Sequence, residues 1–277
     1  MSDTTGQCRR CRPTTVSHLA RLQYDVLTAL DGPKLAYHVL GEGNPVVVLP
    51  GGPMQDSAYL GDLGGLSGRL QLILLDYRGT GQSESPTDTS SCRCDHLVDD
   101  VEALRGHLGL HRIDLLAHCA GANLAELYAA RYPEGIGKLV LITPSTRAVG
   151  ITATSATRRA VVRRREAERW FAPASEAFEA IQAGQGTDAD WEAITPLTYG
   201  RWDAAAQAHH AREVMQRNPE AAAAFVGEGA FDPPVTRAAS SDSMNDHAEA
   251  VRLRVRDGQA LCRGRQAVNE LVDRGPA

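Results

Sequence analysis

Apolar positions follow two rhythms along the first half of the chain. Val46, Val47, Val48 and Leu49 form an unbroken run, and residues 70–76 form another. Such runs are expected of strands whose two faces are both covered by helices. Residues 35–40, 113–117 and 138–142 read as further strands. Between them the period becomes helical: Leu97, Val98, Val101, Leu104 and Leu108 recur at helix spacing after Asp95, which stands at the N-cap position. Residues 120–131 are helical again. Strands alternating with helices predict an α/β fold with a doubly wound, mostly parallel sheet.

The two ends and the middle read differently. Residues 1–33 show no sustained period and end in the turn Asp31-Gly32-Pro33, so they read as a tail. After Pro144 the chain turns Ala-rich, with helical patterns interrupted near Pro173, Pro196 and Pro219 and no apolar strand. This is the pattern of an inserted helical cap. Trp170, Trp191 and Trp202 all lie in it, as packing for the cap or as lining for a pocket. Near the C-terminus Val251, Leu253 and Val255 alternate with Arg252, Arg254 and Arg256, which suits a sheet edge and not a buried parallel strand. The expected organisation is a tail at 1–33, an α/β core at 34–146, a cap at 147–236 and a C-terminal segment at 237–277 with an incomplete set of strands.

Composition narrows the function. The length of 277 residues suits one domain with an insertion. A net charge of -5 argues against a nucleic-acid partner and for a small-molecule or short peptide substrate. Residues 1–20 carry Arg9, Arg10 and Arg12 but no apolar h-region, and no apolar stretch is long enough for a bilayer. The expectation is a cytoplasmic protein, not a membrane one, with its six cysteines reduced. Cys8 with Cys11 and Cys92 with Cys94 lack the spacing of a four-thiolate zinc site. The run Arg163 to Arg165, followed by Glu166 and Glu168, reads as a solvated helix face. His209 and His210 are adjacent on a helix and do not share a face as a metal pair would. Gly79-Thr80-Gly81 is too short for a dinucleotide fingerprint. Neither a metal nor a cofactor is expected, and the oligomeric state is left open.

The strongest chemical signal is Ala117-His118-Cys119-Ala120-Gly121, where a strand ends and a helix begins. A nucleophile at the apex of such a turn needs small residues two positions to either side, which Ala117 and Gly121 supply. The turn aims it at the positive end of a helix, where a thiolate or an oxyanion is favoured. His118 is next to Cys119, but adjacent residues on a tight turn point in different directions, so it is not expected to be the base.

Three segments in order resemble the α/β-hydrolases, and within them the prolyl-aminopeptidase-like peptidases and related esterases. Pro50-Gly51-Gly52-Pro53 is similar to the family's HGGPG oxyanion loop, Asp76-Tyr77-Arg78-Gly79-Thr80-Gly81-Gln82-Ser83 to its DxRGxGxS loop, and Cys119 falls at its elbow. The likeness covers roughly residues 35–237. It implies hydrolysis of an N-terminal prolyl peptide, an amide or a small ester through a covalent acyl-enzyme at Cys119, with the N–H groups of Gly52 and Ala120 as oxyanion donors. Aminopeptidase members hold the substrate amine with cap carboxylates, for which Glu192, Glu213 and Glu228 are available without a secure alignment.

The departures from the family bear on activity. Pro50 and Met54 replace the first His and last Gly of the loop, and cysteine stands where the family has serine. Asp257 is the best match for the triad acid, and no histidine follows His247, so the family's C-terminal His has no counterpart. A thiol can still acylate without a positioned imidazole, but deacylation lacks a base. The competing expectation is a non-catalytic or degenerate ligand-binding protein on the same fold.

Overall fold

The computed structural model describes residues 24–145, 147–151, 153–232, 235 and 250–253. The strands are β1 (Tyr24–Thr28), β2 (Lys34–Leu40), β3 (Pro45–Leu49), β4 (Gln71–Leu75), β5 (Ile113–His118), β6 (Ile136–Ile142) and β7 (Ala250–Leu253). They form one sheet in the order β1-β2-β4-β3-β5-β6-β7. The β1/β2 and β2/β4 pairs are antiparallel, and every later pair is parallel. This is the α/β architecture with a mostly parallel sheet that the alternating pattern predicts.

The unbroken apolar runs have a direct cause. In β3, Val47 and Leu49 enter a cluster with Leu104, Leu124 and Tyr128 from α1 (Leu97–His107) and α2 (Gly121–Arg131). Val46 and Val48 face the other way, onto Leu66, Leu72, Leu74 and Leu116. Each such side chain contributes about 1.5–3 kcal/mol on full burial, so neither face tolerates a polar residue and the period-2 signal vanishes.

Several expectations need correction. β1 lies within the segment read as a tail; of its five residues only Leu27 is buried, so it carries no alternation to read. Asp95 does not cap α1, whose N-cap is His96 without a side-chain bond. Its carboxylate is instead held by Arg93, with Nε at 2.7 Å and Nη2 at 2.8 Å. Asp99 and Asp100 supply the negative charge favoured in the first turn.

The cap contributes α3 (Ser155–Arg163), α4 (Phe171–Gln182), α5 (Asp188–Ala193), α6 (Ala204–Gln216) and α7 (Pro219–Phe225). Its prolines begin helical turns more than they break them: Pro173 lies in the first turn of α4, and Pro219 opens α7 behind the Asn218 cap. Side-chain caps from Thr154, Thr187, Asp203 and Asn218 start four of these helices. Phe225 of α7 is buried in the core cluster, so this last cap helix docks on the α/β body. Arg165 is not a free solvated charge. It lies 4.8 Å over the Trp170 ring and donates to the Tyr199 carbonyl at 2.7 Å, while Arg163 and Arg164 are exposed. Trp202 packs on Tyr199 at 5.2 Å and Trp191 is exposed. β7 occupies the sheet edge beside β6.

Candidate active site

β5 ends at His118, α2 begins at Gly121, and Cys119 turns the chain between them at φ +51°. A side chain with a Cβ is strained in that left-handed region, a feature typical of functional turns. The turn fits because its neighbours are small. A Cβ on Gly121 would collide with the Pro50 carbonyl oxygen, and one on Gly51 would lie 2.9 Å from the Cys119 Cβ. The Tyr77 hydroxyl donates to the same Pro50 oxygen at 2.9 Å and fixes the loop from below.

The backbone N–H groups of Gly52 and Ala120 lie near the Cys119 sulfur and pull its pKa down. Gly51 points elsewhere: its N–H donates to the Tyr59 hydroxyl at 2.7 Å. Of the two glycines, Gly52 is therefore the one whose amide acts on the Cys119 sulfur, and its φ of +112° is one that glycine adopts without strain. The thiol pKa is raised by burial and further by the Glu213 charge, against the pull of the two N–H groups and Arg217. The helix N-terminus was expected to favour the thiolate; burial outweighs it.

Tyr59 links this loop to the elbow. Its hydroxyl lies 2.6 Å from His118 Nδ1. Burial pushes the phenol pKa far up, so Tyr59 keeps its proton, and having accepted from Gly51 it donates to His118. Burial also lowers the His118 pKa. The imidazole is thus neutral with its Nδ1 lone pair occupied.

The loop 76–83 supports the site from behind. Asp76 is buried, yet bonds from His38 Nε2 (3.0 Å), Gln82 N–H (3.0 Å) and Ser57 N–H (2.8 Å) hold its carboxyl below the ordinary range. Arg78 is buried between Asp31, at 2.6 and 2.9 Å, and Asp100, whose Oδ2 accepts from Nε at 2.9 Å.

A second polar chain lies in the cap. The Tyr199 hydroxyl donates to Glu213 Oε2 at 2.9 Å and meets His209 Nδ1 at 2.9 Å. The His209 ring packs edge-on against Tyr59, with centroids 6.2 Å apart. His210 turns toward Trp202 and Glu192. Of the candidate cap glutamates Glu192, Glu213 and Glu228, Glu213 is the one whose charge is felt at Cys119, Tyr59 and His118.

Cys119, Gly52 and Ala120 are therefore brought together, while Asp257 lies outside the described residues, as do Cys8, Cys11 and Cys262. Cys92 and Cys94 are buried free thiols, the former pushed up to about 11 by burial. Among the described residues no three His, Cys, Asp or Glu side chains gather to hold a metal, and no helix is long and apolar enough to cross a membrane. Sequence reasoning missed Tyr59, Tyr199 and His209. A lone aromatic in an unpatterned loop and a His on a cap helix carry no local signal.

Residues 44–174 match the alpha/beta hydrolase fold family. An esterase from Exiguobacterium antarcticum superposes with a TM-score of 0.58 over 90% of this chain and 98% of its own, at 16% identity, a likeness of fold. The chain is thus an α/β hydrolase by fold. Over part of its length it is similar to prolyl aminopeptidases: a proline iminopeptidase of Heyndrickxia coagulans is 35% identical over 104 residues, 38% of this chain and 36% of the relative. A cis-3-alkyl-4-alkyloxetan-2-one decarboxylase of Shewanella oneidensis is 36% identical over 114 residues, 40% of this chain and 36% of the relative. The chain thus spans little more than a third of the length of these curated relatives.

Proposed function

We propose that this chain is a thiol acyl hydrolase acting on a small ester, amide or N-terminal prolyl peptide through an acyl-enzyme at Cys119. The observation that carries this reading is the strained elbow turn at Cys119, φ +51°, with the Gly52 and Ala120 N–H groups near its sulfur. Two fixed donors beside a nucleophile are what a tetrahedral oxyanion needs, and each such donor is worth on the order of 10²-fold in rate. The Glu213 carboxylate near the thiol favours a substrate carrying a free amine, in keeping with the proline iminopeptidase relative.

A non-catalytic reading draws on one specific observation. The thiol pKa is raised and the His118 Nδ1 lone pair is occupied, so the thiol holds its proton and His118 Nδ1 does not remove it. Release of p-nitrophenolate from p-nitrophenyl acetate distinguishes the two. The hydrolase reading expects a burst of about one equivalent that Cys119→Ala abolishes. Equal traces from both proteins would leave the elbow a structural turn.

A further inference from the structure

The acyl-transfer reading requires a proton acceptor for the thiol, and the polar chain of the cap has the geometry of one. Tyr199 gives its single proton to Glu213 Oε2, so toward His209 Nδ1 its oxygen can only accept. His209 Nδ1 is therefore the donor, so in the neutral ring the proton is on Nδ1 and the lone pair on Nε2. An imidazole whose far nitrogen is tied through a hydrogen bond to a carboxylate is oriented as the His of a hydrolytic triad is, here with a phenol interposed. His118, by contrast, has its Nδ1 engaged by Tyr59.

The two groups share a floor. The Tyr59 ring meets the His209 ring at 6.2 Å, while its hydroxyl meets the Gly51 N–H and His118, the chain neighbours of Gly52 and Cys119. The helix bearing His209 is held there by its own end. The Gln216 carbonyl accepts from Asp56 N–H at 3.1 Å, and Asn218 N–H donates to the Met54 carbonyl at 3.0 Å.

We propose that His209 of the cap is the proton acceptor for the Cys119 thiol, directly or across one water, with Tyr199 and Glu213 as its positioning residues. This rests on the acyl-transfer reading above. In the first half-reaction His209 Nε2 takes the Sγ proton, Sγ bonds to the acyl carbon, and the oxyanion rests on Gly52 and Ala120. The bond to the leaving group breaks, and that group leaves with the proton from Nε2. In the second, a water gives a proton to Nε2 and its oxygen attacks the thioester. The C–S bond breaks, and the proton returns to sulfur. The sum is acyl transfer to one water, with the enzyme regenerated.

Two measurements test this on the full chain. The first is the pH profile of iodoacetamide alkylation at Cys119, resolved by mass spectrometry in wild type, His209→Asn, His209→Gln and Tyr199→Phe. It does not require hydrolytic activity. The buried Cys92 and Cys94 report whether each variant stays folded. Tyr199, Glu213, Tyr59, His118, His210 and Arg217 surround this region, so the comparison between variants is the readout and not the wild-type curve alone. The expected result is an acid-side limb in wild type that both His209 variants lose, with Tyr199→Phe shifting it. The second is p-nitrophenyl acetate turnover, which His209→Asn should slow by about 100-fold or more, with partial rescue of His209→Ala by added imidazole. Identical alkylation profiles in folded variants would overturn the role of His209. A wild type without a Cys119-dependent burst would overturn the hydrolase reading, while the alkylation profile still decides whether His209 accepts the thiol proton.

Discussion

At the residue scale, the site depends on atoms that are absent. Gly121 begins α2 under the Pro50 carbonyl, and a methyl group there would press on backbone that cannot swing aside. Gly121→Ala is expected to displace the Pro50–Gly52 loop from the elbow and reduce Cys119 acylation by about 100-fold, as an ångström of misplacement does elsewhere. Burst amplitude and rate beside a thermal melt check this; an unchanged burst would show that the loop has slack. Much of this level was legible in the sequence. The small residues around Cys119 and the paired glycines announce the elbow and the loop, because only such residues permit the approach. The resemblance had already pointed to Gly52; the bond from Gly51 N–H to the Tyr59 hydroxyl, which turns the other glycine away, has no pattern visible in the sequence.

At the element scale, the 3-10 turn Ser57–Leu60 is capped by Asp56, whose carboxyl accepts from Ala58 N–H at 3.0 Å. Burial, and then the nearby Asp76 charge, raise the Asp56 pKa to about 6. An unfolded aspartate titrates near 3.9, so across this window the folded chain binds the extra proton. Stability therefore falls as pH rises from about 4 to 6, and the penalty is complete above 6. Asp56→Asn keeps an acceptor for the cap and removes the charge. Its melting temperature is expected to exceed wild type by roughly 2–4 °C at pH 7.5, with the gain shrinking toward pH 4.5. A uniform shift at both pH values would point to a cause other than this carboxyl. The elements themselves were largely readable, since β2 to β6, α1 and α2 follow from apolar period alone. β1 and the Asp95 cap were misread because a strand with one inward residue, and an Asp claimed by Arg93, do not obey local rules.

At the scale of the whole molecule, Arg78 joins parts of the chain that pattern reading treats separately. It ties Asp31 of the β1/β2 turn and Asp100 of α1 to the loop after β4. Arg78→Met would leave Asp100 buried without its cation and is expected to cost about 3–5 kcal/mol, measurable by urea unfolding; a loss under about 1 kcal/mol would mean that water reaches the carboxylate. The sequence showed the core and the cap as consecutive blocks. Part of their joint was not visible, because it is made of backbone bonds with no residue signature: Gln55 bridges Arg217, Asp56 bonds Gln216, and Asn218 N–H reaches Met54, while the Asn218 side chain donates to the Gly79 carbonyl. That seam begins at Met54, two residues after Gly52. Any breathing of α6 away from the body must therefore pull on the backbone that leads to Gly52. On the acyl-transfer reading proposed above, opening of the cap and readiness of the site are one equilibrium, and slow hydrogen exchange at the Asp56 and Asn218 amides would report both at once.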